Sequence, residues 1–271
     1  MNLSKSNPLL LVGAGKMGGA MLSGLVDQGI DPAALIVCDP RPSDEMAALF
    51  SQKGIRHVTE APSDVTPAVV LVAVKPQMMD TALEPLKPIV GPETLIVSVA
   101  AGKMIATYEA AFGKVPVVRA MPNTPAQVQR GMTALFANPA VSEDQKALVE
   151  NLLSGIGAVA WLESESQMDA VTAVSGSGPA YVFLVAECLA EAGRKAGLSP
   201  ELAAKLARQT VAGAGELLYR SDLEAGTLRK NVTSPGGTTA AALDVLMADD
   251  GFQPLFDAAV AAAAKRSQEL S

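Results

Sequence analysis

The segment Gly13-Ala14-Gly15-Lys16-Met17-Gly18 follows directly on the apolar run Leu9-Leu10-Leu11-Val12. That order constrains the fold more than any other feature of the chain. A buried strand that runs into three glycines so spaced, and then into a helix from about Lys16 to Gln28, reads as the start of a βαβ unit. Gly13 permits the tight turn, Gly15 lets a pyrophosphate approach the backbone, and Gly18 lets the helix pack on the strand. The helix start offers unpaired N–H groups and a partial positive charge to phosphates. Asp39 ends the next strand, Leu35–Asp39, roughly 20 residues after Gly18, the position that grips an adenosine ribose. Its carboxylate would accept from a 2′-hydroxyl and repel a 2′-phosphate. Arg41, two residues on, would pair with that phosphate instead, so the sequence predicts a site that takes either NADH or NADPH.

Apolar strands and helical stretches alternate through the first part of the chain. A helix is expected over Asp44–Lys53 and strands over Val69–Val74, Leu95–Val99 and Val115–Arg119. Met132–Phe136 and Ala158–Leu162 extend the series, with a helix over Glu143–Leu153 between them. Continuous apolar strands in such an alternation predict a parallel sheet covered on both faces. Ligands of such sheets collect beyond the carboxyl ends of the strands. Ala73-Val74-Lys75-Pro76 therefore points Lys75 toward a cofactor, the alternative being a solvated lysine that steers phosphates only generally. Asn123, in the stiff loop Met121-Pro122-Asn123-Thr124-Pro125, offers an amide to nicotinamide or substrate at the same edge.

Beyond Gln167 no strand pattern remains. Helices are expected over Pro179–Ala196, Pro200–Tyr219 (Ser199 as N-cap, Pro200 at the first helical position), Thr239–Met247 and Phe252–Glu269. The expected fold is α/β: an N-terminal Rossmann-type dinucleotide-binding domain over residues 1–167, then an all-α C-terminal domain over 168–271. Pro179–Ala196 is apolar round most of its circumference until Glu187, which favours a subunit interface over an internal core helix.

Composition narrows the function classes. Net charge is −7, and the basic residues are scattered without interleaved aromatics, a poor match to a nucleic-acid partner. Cys38 and Cys188 stand far apart, which indicates neither a disulfide framework nor a thiolate metal site. The single histidine, His57, has no metal-ligand pattern around it and reads as a surface or strand-edge residue. The longest uncharged stretch, Ala170–Ala186, contains Ser175-Gly176-Ser177-Gly178-Pro179 and reads as too short and broken for a membrane span. No secretory signal pattern stands at the start, and a reducing cytoplasm is expected.

A second glycine-rich segment, Thr233-Ser234-Pro235-Gly236-Gly237-Thr238-Thr239, stands near the other end of the chain. Pro235 cannot donate a backbone hydrogen bond, and the glycines allow a sharp turn into a helix. The N–H groups and hydroxyls of Thr238 and Thr239 then converge on one small volume. That geometry suits a small carboxylate; it equally suits an ordinary helix cap.

Val232 to Thr239, followed by Leu243, closely resembles the C-terminal signature of the Δ1-pyrroline-5-carboxylate reductase family. Val118-Arg119-Ala120-Met121-Pro122-Asn123-Thr124-Pro125, Ser175-Gly176-Ser177-Gly178-Pro179-Ala180-Tyr181 and Ala73-Val74-Lys75-Pro76 are similar to further motifs of that family, in the family's order. The resemblance implies nicotinamide-dependent reduction of the C=N bond of 1-pyrroline-5-carboxylate to L-proline, the last step of proline biosynthesis. It also implies a homodimer joined through C-terminal helices, often assembled further. By motif position it makes Thr239 the hydroxyl on the ring nitrogen. Glu165, Asn231 and Thr238 fall at substrate contacts, and Ser234 and Gly237 in the carboxylate loop. The matching cofactor positions are Ala14, Lys16, Met17, Cys38, Pro40, Val74, Lys75 and Ala101. Relatives that use NADPH often carry a small or hydroxyl residue where this chain has Asp39, which leaves the choice between NADH and NADPH open.

Two other readings are weaker. β-Hydroxyacid dehydrogenases place a catalytic lysine on the first helix of the C-terminal domain, and Pro179–Ala186 has none. A nucleotide sensor without chemistry would need an altered second loop, whereas Ser234, Gly236, Gly237 and Thr239 are all present.

Overall fold

A computed structural model describes residues 3–270. They divide into two compact units, residues up to Gly176 together with the segment from Ala264 onward, and Ser177–Ala263. The first unit is built on one eight-stranded sheet. Its strands are β1 (Leu9–Val12), β2 (Leu35–Cys38), β3 (Arg56–Val58), β4 (Val69–Val72), β5 (Leu95–Ser98), β6 (Val117–Met121), β7 (Gly131–Ala137) and β8 (Gly157–Trp161). Their order is β3-β2-β1-β4-β5-β6-β7-β8. The chain reverses after β1–β3 to add β4 on the other side of β1, which makes β1/β4 the topological switch point.

Side chains alternate across this sheet with a period of two. Leu9, Leu11, Leu35, Val37, Val69, Leu71, Leu95 and Val97 pack on one face with Met21, Leu22, Leu25, Phe50, Val149 and Leu152. Leu10, Val12, Ile36, Val70, Val72 and Ile96 pack on the other with Met79, Leu83, Ile105 and Tyr108. The covering helices are α1 (Lys16–Asp27), α2 (Asp44–Lys53), α3 (Met79–Leu83), α4 (Ile105–Phe112), α5 (Glu143–Ser154) and the single turn α6 (Met168–Val171). Helix α2 starts on Ser43, whose hydroxyl accepts from Met46 N–H, and stops at Gly54 with φ of 69°. A reciprocal capping box of Ser142 and Gln145 starts α5.

The α/β class and the two-part order hold, with corrections in detail. The sheet is not wholly parallel, because β7 runs antiparallel to β6. The expected strand Val115–Arg119 lies two residues later. The short edge strand β3 and the turn α3 were not foreseen. The boundary expected after residue 167 falls instead between Gly176 and Ser177, and the last residues group with the first unit. There Ser267 donates to an Asp169 carboxylate oxygen at 2.6 Å. The stretch Glu165–Lys195 is long and apolar enough by length and composition to cross a membrane. Within it the α-helical pattern is interrupted at the expected place, though by a π-turn over Thr172–Gly176 and a bend at Ser177 rather than by a loop.

The second unit contains α7 (Gly178–Lys195), α8 (Pro200–Arg220), α9 (Ala225–Asn231), α10 (Thr238–Leu246) and most of α11 (Phe252–Glu269). Ser199 caps α8 as expected, accepting from Leu202 N–H; α9 was not foreseen. Among the described residues of this unit only Ala203 and Ala207 are buried. Phe183, Leu184, Leu206, Leu217 and Leu255 stay exposed. The unit by itself covers hardly any of its own apolar surface.

Candidate active site

Beyond the carboxyl ends of β1, β2 and β4 the first unit opens a cleft of about 630 Å³, a typical size for a small-molecule site. Gly13, Gly15, Cys38, Asp39, Pro40, Arg41, Ala73, Val74 and Lys75 line it, as the sequence predicts. Gly13 turns the chain at φ of 91°, and its N–H bonds to Cys38 O at 2.9 Å. A Cβ on Gly18 would lie 2.0 Å from Gly13 O, so the helix meets the loop too closely for any side chain. A Cβ on Gly15 would meet nothing within 4 Å. The chain itself does not need glycine there; a ligand approaching the backbone does. Gly15 is also the N-cap of α1, and no side chain accepts from that first turn. Its amides remain for an anion, so the residues fit a dinucleotide pyrophosphate.

Asp39 is more committed than the sequence shows. One carboxylate oxygen accepts from Ala14 N–H at 2.7 Å and the other from Arg41 N–H at 2.8 Å. Its carbonyl accepts from His57 Nε2 at 2.8 Å; a carbonyl only accepts, so Nε2 carries the proton. His57 thus braces the end of β2 from β3, in keeping with its strand-edge reading. Cys38 is half-buried, and its thiol pKa is pushed up by burial first, then by the carboxylates of Asp39 and Glu60. That is the opposite of an activated thiolate.

Other expected residues lie elsewhere. Ala14, Lys16, Met17 and Gly18 shape the loop and the start of α1 without lining the cleft, and neither Pro76 nor Ala101 lines it. Asn123 presents no free amide: its nitrogen donates to the carbonyl and hydroxyl of Ser175 at 3.1 and 3.2 Å, and its oxygen accepts from Met132 N–H at 2.9 Å. It holds the loop after β6 in place. Glu165 belongs to the first unit, where its Oε1 accepts from Arg119 Nη1 at 2.7 Å and from Ile105 N–H at 2.8 Å. Only Oε2 is left for the substrate contact that the resemblance implies. The cleft also includes residues the sequence did not single out. Thr59, Glu60 and Ala61 come from the loop after β3, and Met78, Thr81, Ala82, Pro85 and Leu86 from the segment after Lys75-Pro76. Gly54 closing a helix six residues before Glu60 was the available signal; three exposed or half-buried strand residues gave no apolar run to confirm it.

In the second unit, Thr233–Gly237 folds as a turn closed by Gly237 N–H on Ser234 O at 3.0 Å. Gly236 takes φ of 70°. A Cβ on Gly237 would sit 2.5 Å from the Ser234 hydroxyl oxygen, so a side chain there would push that hydroxyl aside. Gly237 is the N-cap of α10, and no side chain caps that helix either. Thr238 and Thr239 are its first two residues, as expected, with Asn231 at the end of α9. Free amides, the Ser234 hydroxyl and two threonine hydroxyls therefore gather at one helix start.

Comparison with known proteins matches both units. Residues 165–270 match the family model described as pyrroline-5-carboxylate reductase dimerisation. Residues 9–102 match the model described as NADP oxidoreductase, coenzyme F420-dependent. The chain is 43% identical to the pyrroline-5-carboxylate reductase of Pseudomonas aeruginosa, over 97% of this chain and 96% of that one. The solved structure of a pyrroline-5-carboxylate reductase from Coxiella burnetii superposes with a TM-score of 0.91 at 38% identity, over 98% of this chain and 99% of that one. That of Plasmodium falciparum pyrroline carboxylate reductase with NADP bound superposes at 0.80 and 30% identity, with the same coverage.

Proposed function

This chain belongs to the pyrroline-5-carboxylate reductase family, and on that premise we propose how its residues carry the reaction. The protein is an NAD(P)H-dependent oxidoreductase that reduces the C=N bond of 1-pyrroline-5-carboxylate to L-proline. The observation that carries this is the match to curated reductases along almost the whole chain, both glycine-rich loops included.

A protonated C=N carbon accepts hydride far better than a neutral imine. The reduction therefore needs a proton on nitrogen, hydride at carbon, and a fixed approach. A reduced nicotinamide bound in the cleft would supply that hydride. In our reading the α1 start and Lys75 hold its phosphates. The N–H groups at the start of α10, with the Ser234 hydroxyl, fix the substrate carboxylate. The Thr239 hydroxyl oxygen accepts from the ring N–H and sets the ring's orientation. The proton comes from solvent or arrives with the substrate. The chain's main contribution is positioning, which is worth roughly 7–11 kcal/mol when donor and acceptor are held in contact.

The protein forms an oligomer. Our finer reading is a homodimer joined through the exposed apolar faces of α7 and α8, with dimers assembling further. Both cysteines are free, which suits a cytoplasmic protein.

The test is proline formation from 1-pyrroline-5-carboxylate with loss of reduced-nicotinamide absorbance, for wild type and Thr239→Ala. Loss of one hydrogen bond of about 1–3 kcal/mol lowers kcat/KM roughly ten- to a hundredfold, with nucleotide Kd unaltered. A wild type that forms no proline with either cofactor defeats the reading; a fully active Thr239→Ala removes the role given to that hydroxyl.

A further inference from the structure

Asp39, the residue the sequence offers as cofactor selector, also braces the chain, and each of its oxygens keeps a second lone pair for a ribose hydroxyl. Each oxygen is held by a backbone amide, Ala14 on the phosphate loop and Arg41 on the next turn. Two other charges on the same cleft wall have no such duty. Glu60 follows β3, and Arg41 follows β2; both side chains are exposed and both line the cleft. Neither makes a side-chain hydrogen bond or ion pair among the described residues, and they do not pair with each other.

We propose that Glu60 and Arg41, flanking Asp39, tune the choice between NADH and NADPH by acting in opposite directions on a 2′-phosphate. This rests on the reading of the cleft as the nicotinamide-dinucleotide site. The two cofactors differ only at that ribose position, where the end of β2 and its neighbours face the ligand. A phosphate monoester there carries about −1.5 to −2 at neutral pH, and a hydroxyl carries nothing. Arg41 attracts the phosphate with a bidentate donor fork. Glu60 repels it, and its field reaches the end of β2, where it helps push up the Cys38 thiol pKa. Asp39 adds a fixed negative charge, but changing it disturbs the loop that either nucleotide needs. In Asp39→Asn an amide NH₂ would face the N–H of Ala14 or Arg41, donor against donor. The opposition of Glu60 and Arg41 leaves wild type able to hold both nucleotides.

Calorimetric titration with NADP⁺ and NAD⁺ tests this on the intact protein, alongside kcat/KM for NADPH and NADH. Glu60→Gln raises the NADP⁺:NAD⁺ affinity ratio by about tenfold, and Arg41→Gln lowers it by about tenfold, the size expected for one charge pair near a surface. Asp39→Asn weakens both nucleotides through the loop, NAD⁺ more than NADP⁺ because a negative charge is lost as well. Either of the first two variants leaving the ratio within about twofold of wild type overturns the proposal. Wild type binding neither nucleotide would overturn the cleft assignment itself. Binding with an unmoved ratio overturns only the selectivity argument.

Discussion

Arg119 and Glu165 put opposite charges where little water reaches. Their side chains are 11% and 19% exposed and 2.7 Å apart. The guanidinium comes from β6 and the carboxylate from the turn before α6, and the same carboxylate oxygen receives the N–H of Ile105 at the start of α4. Removing one partner of such a pair leaves a charge that is desolvated and half-satisfied. Arg119→Met is therefore expected to destabilise the first unit by about 3 kcal/mol. Arg119→Lys restores part of this, because it keeps the charge but loses the fork geometry. Thermal melts of the two variants check it; equal midpoints for Met and Lys would sink the idea that charge matters there. Below Arg119, Tyr108 is fully buried on α4 and hydrogen-bonded to Ser98. Burial pushes its phenol pKa up to about 12, against the smaller opposing pull of Ser98 and Arg119. The sign follows from linkage. The unfolded phenol ionises near 10 and the folded one near 12, so the unfolded state loses its proton first. The stabilisation is whole below about pH 10 and is lost as pH rises toward 12. It amounts to on the order of 2–3 kcal/mol. Urea unfolding of wild type and Tyr108→Phe between about pH 9 and 12 should show a fall in stability that the Phe variant lacks.

The loop and helix that open the chain give opposite outcomes at neighbouring glycines. Gly15 has φ of −67° and open space where a Cβ would go. Gly18 has Gly13 O at 2.0 Å from that point. Gly15→Ala should keep the melting temperature and weaken nucleotide binding. Gly18→Ala should lower both, with a stability cost of roughly 1–3 kcal/mol from overpacking. Melts and nucleotide titrations on the same preparations decide, and a Gly15→Ala variant with wild-type affinity would remove the phosphate cradle from that residue. The same loop shows what a sequence carries. Gly13, Gly15, Gly18 and Asp39 were legible because a fixed spacing between one strand and one helix decides them. Helix α2 was legible to the residue, since Ser43 and Gly54 cap it. Strand β3 was not: Arg56 and His57 are exposed on a sheet edge, and three residues make no period. The reversal of β7 was hidden too, because an apolar run has the same pattern in either direction. The bonds of Asp39 to Ala14, Asn123 to Ser175 and Glu165 to Arg119 join residues 25 to 52 positions apart, and no local pattern records such pairings. The second turns the Asn123 amide to loop bracing, while Asp39 braces the loop and still lines the cleft.

At the scale of the molecule, the two units solve burial differently. The first has apolar clusters on both faces of its sheet. The second buries two alanines, and leaves Phe183 61% and Leu206 49% exposed on neighbouring helices α7 and α8. A surface this apolar does not remain in water on a stable monomer. Lipid and a second copy are the two covers that its composition allows. A membrane-spanning reading of Glu165–Lys195 covers α7 alone and leaves the exposed apolar residues of α8 in water. A second copy needs only the apolar faces, and residues 165–270 match a dimerisation family model. Each large side chain covered in such an interface contributes about 1.5–3 kcal/mol, so charges placed at two of them should split it. Phe183→Glu with Leu206→Glu is expected to give the mass of one chain by light scattering at micromolar concentration, where wild type gives a multiple. The melting temperature of the helical unit should fall with it, because stability and association are then one equilibrium. The first unit has its own core and should keep its affinity for nucleotide. An unchanged mass in the double variant would mean that α7 and α8 are covered by something other than a second copy.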